Sequence, residues 1–208
     1  MEQAINEAYV KGIVIIASAS NEGGNAPQIA FPARMTRVIC VGSADGDGFQ
    51  STFSPSFQRT EKYSAVGEKV SGFDIIDPKI ALRLKPAERE NHRTIRRRTG
   101  SSTAAPVAAG VAALFLDIIR QVVDFAQDEE NTLRIRKFFL AMSSASVKQN
   151  YRFLAPLTLF TAEKQPLEIV EEILKAPLGS WPPVHRGLML VADRVWHGSS
   201  ELGMASCM

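Results

Sequence analysis

Two periodicities of apolar and polar positions divide this chain. Ala4, Ile5, Ala8 and Tyr9 recur at helical spacing and Gly12 follows them, which predicts an amphipathic helix that stops at the glycine. From Ile13 to Ala17 the pattern becomes a continuous, largely β-branched run with no polar alternation. Such a run predicts a strand buried on both faces, as in parallel sheets covered by helices. Val38 to Gly42 is a second run of this kind, and Tyr63 to Val70 predicts a short third strand. Between the first two lies S-A-S-N-E-G-G-N-A-P-Q, a loop dense in Gly, Asn and Pro at the carboxyl end of the first strand. In open α/β sheets ligands and chemistry collect at that edge. A further turn-rich segment covers Ser43 to Ser56.

The second half reads as helical. Thr103 to Arg120 is the strongest helix pattern, small residues first and large ones after. Asn131 to Met142 predicts another, with Thr132 as a candidate cap and Leu133, Ile135, Phe138 and Phe139 available for burial. Gln165 to Lys175 predicts a third, with Pro166 near its start and Leu167, Val170, Ile173 and Leu174 on one stripe. Asp74 to Arg98 mixes proline with basic and acidic residues and reads as a surface insertion loop. There is no internal repeat and no low-complexity tract.

Composition narrows the function classes. The 208 residues carry Lys+Arg 24 against Asp+Glu 22, a net charge of only +2, so no global field favours nucleic acid or an anionic membrane as partner. Cys40 lies in an apolar run and Cys207 at the extreme end, which is no disulfide framework, and N-x-[ST] acceptors are absent. A reducing, intracellular setting is the expectation. The opening M-E-Q-A-I-N-E has acids where a signal peptide carries positive charge, and G-I-V-I-I-A is far short of a membrane span. An opening helix that feeds a core strand is an unusual start for a fold, so further sequence upstream is expected.

The candidate chemistry centres on T-G-S-S-T-A-A-P-V-A-A-G, Thr99 to Gly110. Pro106 is tolerated near a helix start and not deep inside, so the helix should begin close to Ser102. A hydroxyl there sits beside unpaired N–H groups and the positive end of the macrodipole, where a developing oxyanion is stabilised. The competing reading is that Ser101 and Ser102 merely cap the helix. Elsewhere, D-G-D-G-F-Q, Asp45 to Gln50, lacks the alternating ligands of a calcium loop and reads as a plain turn. The run R-T-I-R-R-R has no interleaved aromatic residue and reads as a solvated loop. Gly42, Gly46 and Gly48 open no helix and form no dinucleotide fingerprint.

G-S-S-T-A-A-P-V-A-A-G resembles the nucleophile motif of the subtilisin-like serine proteases, G-T-S-M-A-A-P-H-V-A-G, with Ser102 on the catalytic serine. A-S-A-S-N-E-G-G-N is similar to that family's A-A-A-G-N-x-G segment and places Asn21 on the oxyanion-hole asparagine. F-P-A-R-M-T-R-V-I-C-V-G-S-A-D, T-F-S-P-S and Y-S-A-V-G resemble three more blocks, in family order across Gly12 to Leu116. The resemblance implies a partial subtilisin-like α/β fold over 1–146, a mostly parallel sheet with helices on both faces, followed by a helical C-terminal extension, 147–208, of unknown role. It implies peptide-bond hydrolysis by Ser102 and Asn21, a peptide or protein substrate lying along Ser18, Ala19 and Ser20, and neither cofactor nor metal.

Departures from the pattern are Ser20 for a glycine, Val66 for a proline, Thr103 for a methionine and Val107 for a histidine that is not the catalytic one. The family's Asp and His blocks stand before the asparagine block, and this sequence has no counterpart of them there. Activity of this chain alone is therefore doubtful, since a serine without a base is a poor nucleophile. His92 and His185 read as loop residues, and a permuted use of Asp193 with His197 is disfavoured because only three residues separate them. The missing sheet neighbour would leave the Ile13–Ala17 strand as an open apolar edge, so marginal stability or a partner chain completing the sheet is expected. The alternative functions are a non-catalytic pseudoprotease or interaction module of the same fold, and a basic module using Arg93 to Arg98 on nucleic acid.

Overall fold

The β-branched runs form the centre of the computed structural model, which describes residues 1–23, 29–55, 63–73, 83, 85, 95–122, 130–145, 152–159 and 166–177. After helix α1 (Glu2–Val10), strands β1 (Ile16–Ser18), β2 (Ile39–Ala44) and β3 (Tyr63–Val66) pair in parallel, in sequence order. Register pairs are Ile16 with Ile39 and Val41 with Tyr63. The hairpin of β4 (Val70–Phe73) and β5 (Ile95–Arg98) forms a separate two-stranded sheet. Helices α2 (Ser101–Val122) and α3 (Glu130–Met142) follow, then β6 (Ser143–Ala145) and β7 (Arg152–Leu154), a 3₁₀ turn at Pro156–Leu159, and α4 (Pro166–Lys175). Strand β7 joins the main sheet parallel to β3, with β6 antiparallel beyond it, giving the order β1-β2-β3-β7-β6.

Side-chain alternation on the strands sorts two cores. Ile39 and Val41 of β2, with Tyr63 and Ala65 of β3, turn to one face and meet α2, which lies across β1, β2 and β3. Helix α2 buries Ala104, Ala108, Ala112, Phe115 and Ile119, one stripe that begins with small residues and so lets the helix approach the sheet closely. Phe115 stacks on Phe138 of α3 at 4.8 Å between centroids, and Tyr63 meets Phe139 edge-on at 5.4 Å. Ile169, Val170 and Ile173 of α4 close the same cluster, so residues 152–175 contribute both a sheet strand and core side chains. Cys40 points to the opposite face and packs with Ala19 and Ala33. By length and composition α2 could span a membrane, yet its small-residue stripe lies packed on the sheet.

Three expectations need correction. The first strand is half-buried rather than buried on both faces, and Ile13 before it is 53% exposed. Among the described residues β1 is the terminal strand, with no neighbour on its outer side. The predicted strand Tyr63 to Val70 is two strands in two sheets, divided at Gly67–Lys69, where Lys69 adopts φ 54°. A Cβ on Gly67 would press against Ser43 Oγ and lie 2.8 Å from Gly100 O and 2.9 Å from Ala104 Cβ. Close contact with the start of α2 thus ends β3. Finally, Ile95–Arg98 is a strand and not loop, because its polar, charged sequence gains a ladder partner in β4. Most of the remaining Asp74–Arg98 segment lies outside the described residues.

Beneath the site, buried serines tie two turns together. Ser51 Oγ donates to Ser43 Oγ (2.8 Å), and Ser54 Oγ donates to Ser43 O while accepting from Ser43 N–H, each at 3.0 Å. Phe53 O in this turn accepts from Gly23 N–H at 2.8 Å, which anchors the loop after β1. Asp45 Oδ1 accepts from the N–H groups of Asp47 and Phe49, so this aspartate fastens a turn with its carboxylate.

Candidate active site

Two chain segments far apart in sequence meet above the carboxyl ends of β1 and β3. One is the loop leaving β1, Ala19 to Gly23; the other is Thr99 to Ser102, where β5 turns into α2. Gly100 is the helix cap: its N–H donates to Gly67 O (2.8 Å), and its carbonyl accepts from Thr103 N–H (2.9 Å) and Ala104 N–H (3.2 Å). Its φ of 154° is one that residues with a side chain rarely adopt. Thr99 Oγ1 accepts from Lys69 N–H at 3.0 Å and fixes the approach of β5.

The two serines divide their roles. Ser101 is buried at 1% exposure; its Oγ donates to Ser20 O (2.9 Å) and its N–H donates to Asn21 Oδ1 (2.7 Å). Ser102 is exposed, and its N–H, in the first helical turn, has no intrahelical acceptor. With Asn21 Oδ1 held by Ser101 N–H, the amide's Nδ2 stands on the Gly100 side as a donor. The position a Cβ of Gly100 would take lies 3.1 Å from Asn21 Nδ2 and 3.2 Å from Ser102 Oγ. A hydroxyl and an amide donor therefore flank one small space, at the positive end of a 22-residue helix. That space exists only because residue 100 has no side chain.

The sequence-predicted residues come together unevenly. Ser102 and Asn21 converge. Ser18 is half-buried at the end of β1; Ala19 is buried, with its N–H given to Val41 O (2.9 Å) and its carbonyl accepting from Ala30 N–H (2.8 Å). Ser20 has φ 142°, in the region that favours glycine, and its Oγ is buried without a hydrogen-bond partner. The positioning parts played by Gly100 and Ser101 were not read from the sequence, although both stand inside the quoted motif; burial alone tells one serine from the next. His92, His185, His197 and Asp193 lie outside the described residues, and among the described residues no cluster of His, Cys, Asp or Glu could hold a metal ion.

A sequence profile of the Subtilase family, peptidase S8, matches residues 1–146. This chain belongs to the subtilase family. It is 32% identical over 114 residues to the alkaline elastase YaB of Bacillus sp. (strain YaB), covering 55% of this chain and 25% of that protein. Subtilisin DY of Bacillus licheniformis is 31% identical over 119 residues, 56% of this chain and 37% of the relative. The serine protease AprX of Bacillus subtilis (strain 168) is 30% identical over 145 residues, 63% and 31%. This subtilase chain thus spans between 25% and 37% of the length of those relatives. Among solved structures, a point mutant of the PatA protease domain superposes with a TM-score of 0.58 at 20% identity, over 84% of this chain and 52% of that one. The prenylagaramide maturation protease PagA gives 0.55 at 22%, over 83% and 55%. These likenesses establish the partial subtilisin-like α/β fold, a mostly parallel sheet with helices.

Proposed function

We propose that the site is the nucleophile and oxyanion half of a serine endopeptidase. Ser102 Oγ attacks the scissile carbonyl of a peptide lying along Ser18 to Asn21. Asn21 Nδ2 and Ser102 N–H hold the oxygen as it gains charge. As Oγ bonds the carbonyl carbon its proton passes to a base; the tetrahedral adduct then expels the amine, which takes that proton, and water hydrolyses the remaining ester. The observation that carries this reading is the convergence of Asn21 Nδ2 and Ser102 Oγ on one space over Gly100.

The described residues contain no histidine. Because the family's Asp and His blocks have no counterpart before Asn21 in this sequence, the base is assigned to a polypeptide that completes the domain. Strand β1 offers it an open parallel edge, and α2 offers Val107, Gly110 and Leu114, which are exposed along one helical stripe. The same want of Asp and His blocks before Asn21 favours a second reading, a non-catalytic module that binds peptides without cutting them. A chemical rescue separates the two. In the catalytic reading, added imidazole supplies the base and accelerates labelling of Ser102 by a fluorophosphonate, read by mass spectrometry. Asn21→Ala slows that labelling about 10²–10³-fold, and Ser102→Ala abolishes it. Peptide binding with no imidazole-dependent labelling of Ser102 establishes the non-catalytic reading.

A further inference from the structure

Strand β1 ends the main sheet with its outer side uncovered among the described residues. Its inner side is accounted for: Ile15 O accepts from Ile39 N–H and Ala19 N–H donates to Val41 O, each at 2.9 Å. Backbone groups alternate in direction along a strand, so Val14, Ile16 and Ser18 turn their N–H and C=O groups outward. The side chains of Val14 and Ile16 pack on the main core, on the face that α2 crosses, while Ala17 packs on the smaller core. All of these are only half-buried. Native sheets protect such an edge with lysine, proline, a bulge or a covering loop. From Gly12 to Asn21 this chain has no charged residue and no proline, and β1 pairs with β2 in unbroken register.

The edge is complementary to itself. Antiparallel strands exchange two N–H···O bonds at alternate residue pairs and are slightly more stable per residue than parallel ones. A two-fold axis through Ile16 sets Ile16 against Ile16 of a second copy and Val14 against Ser18 of that copy, which uses every outward group of the strand in about six bonds. Apolar side chains then face apolar ones at Ile16, at Ile15 with Ala17 and at Ile13 with Ala19. The charges bordering the run are Lys11 and Glu22, both exposed. Antiparallel pairing brings Lys11 of each copy to the same end as Glu22 of the other, so opposite charges meet at both ends.

We propose that a second copy of this chain covers β1 by antiparallel two-fold pairing about Ile16, and that this dimer is a resting form in which the site is closed. Gly12 to Val14 of the second copy lie against Ser18 to Ser20, the place assigned to the peptide, and fill the edge assigned to the base-bearing polypeptide. The closure, though not the pairing, rests on the reading of Ser102 as the nucleophile. The rival occupant is that polypeptide, for which an uncharged central strand is also suited. It would add a parallel strand and make no use of the two-fold match between Lys11 and Glu22.

The test uses the full chain and sedimentation velocity between about 1 and 100 µM. A small interface of this kind is expected to dissociate with a Kd of about 10 µM. By mass action the monomer then falls from about 85% to about 20% of the chains, so imidazole-assisted fluorophosphonate labelling of Ser102 should be about 4-fold slower per chain at about 100 µM. Ile13 is 53% exposed in the monomer and faces Ala19 of the second copy in the dimer. Ile13→Lys should therefore sediment as a monomer throughout and label at the dilute rate. In a Cys207→Ser background, Ile16→Cys lies on the axis and should form an intermolecular disulfide on mild oxidation, while Ile13→Cys should not; this reads the pairing even if Ile13→Lys misfolds. A chain that stays monomeric at about 100 µM overturns the proposal, and its capture of a subtilase fragment carrying the family's Asp and His blocks gives the edge to the rival. Open-ended polymers overturn the two-fold pairing, as does a dimer that Ile13→Lys leaves intact and Ile16→Cys does not cross-link. Labelling that ignores concentration while the dimer forms overturns the closure. If the dimer forms and Ser102 is labelled at no concentration, the pairing stands and the nucleophile reading fails alone.

Discussion

Replacing Ser20 with glycine should make this protein more stable. Glycine is usually the weaker choice, because it costs about 0.5–1 kcal/mol of extra chain entropy on folding. Two features of the site outweigh that. Ser20 is held at φ 142°, and a side-chain-bearing residue in such a region stores about 1–3 kcal/mol of strain. Its hydroxyl is buried with no partner, which costs roughly 1–3 kcal/mol in desolvation. Glycine removes both terms and keeps the Ser20 carbonyl that accepts from Ser101 Oγ. Taking the lower half of each range, the net gain is about 2 kcal/mol, or roughly 4–8 °C in melting temperature for a chain of this size. Ser20→Ala supplies the control, since it deletes the orphaned hydroxyl, keeps the strain and escapes the entropy cost of glycine, so it should recover about two thirds of the gain. Thermal melts followed by circular dichroism measure all three proteins. A Ser20→Gly melting point at or below that of the parent would refute the reasoning, and equal gains for Ala and Gly would limit the strain to the entropy cost of glycine, about 0.5–1 kcal/mol.

Two further substitutions probe the same corner. Gly100→Ala would set a methyl 3.1 Å from Asn21 Nδ2 and 3.2 Å from Ser102 Oγ, so imidazole-rescued labelling of Ser102 should fall below detection while the far-ultraviolet dichroism stays near that of the parent. Gly67→Ala would drive a methyl against Ser43 Oγ, Gly100 O and Ala104 Cβ; overpacking of this kind costs about 1–3 kcal/mol, read as an earlier urea midpoint, and a wild-type midpoint would mean that the contact relaxes freely.

Much of the architecture was legible because burial writes itself into sequence. The run Val38 to Gly42 reads as a buried strand and β2 is buried throughout, although it continues through Ser43 and Ala44, which read as the start of a turn-rich segment; α2 and α3 are legible to within two residues. What failed were features decided by partners rather than by local pattern. Strand β1 stands at the sheet's end, as the missing family blocks implied, but its continuous apolar run predicted burial on both faces and it is only half-buried. Arg96–Arg98 look like solvated loop until β4 supplies their ladder. Of the site, Ser102 and Asn21 came from motif resemblance. The division of labour between Ser101 and Ser102 could not, because both have the same chemistry and differ only in which one the helix turns inward.

That division explains how the proposed nucleophile and oxyanion half of the site can be in place without the proposed base. Ser101 holds Asn21 by its N–H and the Ser20 carbonyl by its Oγ, and all three belong to the two segments that Gly100, Gly67 and Gly23 lock in place. No bond in this set reaches toward a base. Electrostatic stabilisation of an oxyanion depends on donors aimed before the reaction begins, and the donors here are aimed by contacts internal to the described residues. Proton removal depends on a group that these residues do not contain. Deleting triad members from an otherwise intact site leaves a residual acceleration of about 10³–10⁴ over water from the oxyanion hole and binding alone. Restoring a base should therefore multiply a rate that already depends on Asn21, so the Asn21→Ala defect should be of similar size with imidazole and without it. A defect that appears only when imidazole is present would mean that the added base reorganises the loop after β1, and that its donors are not set in advance.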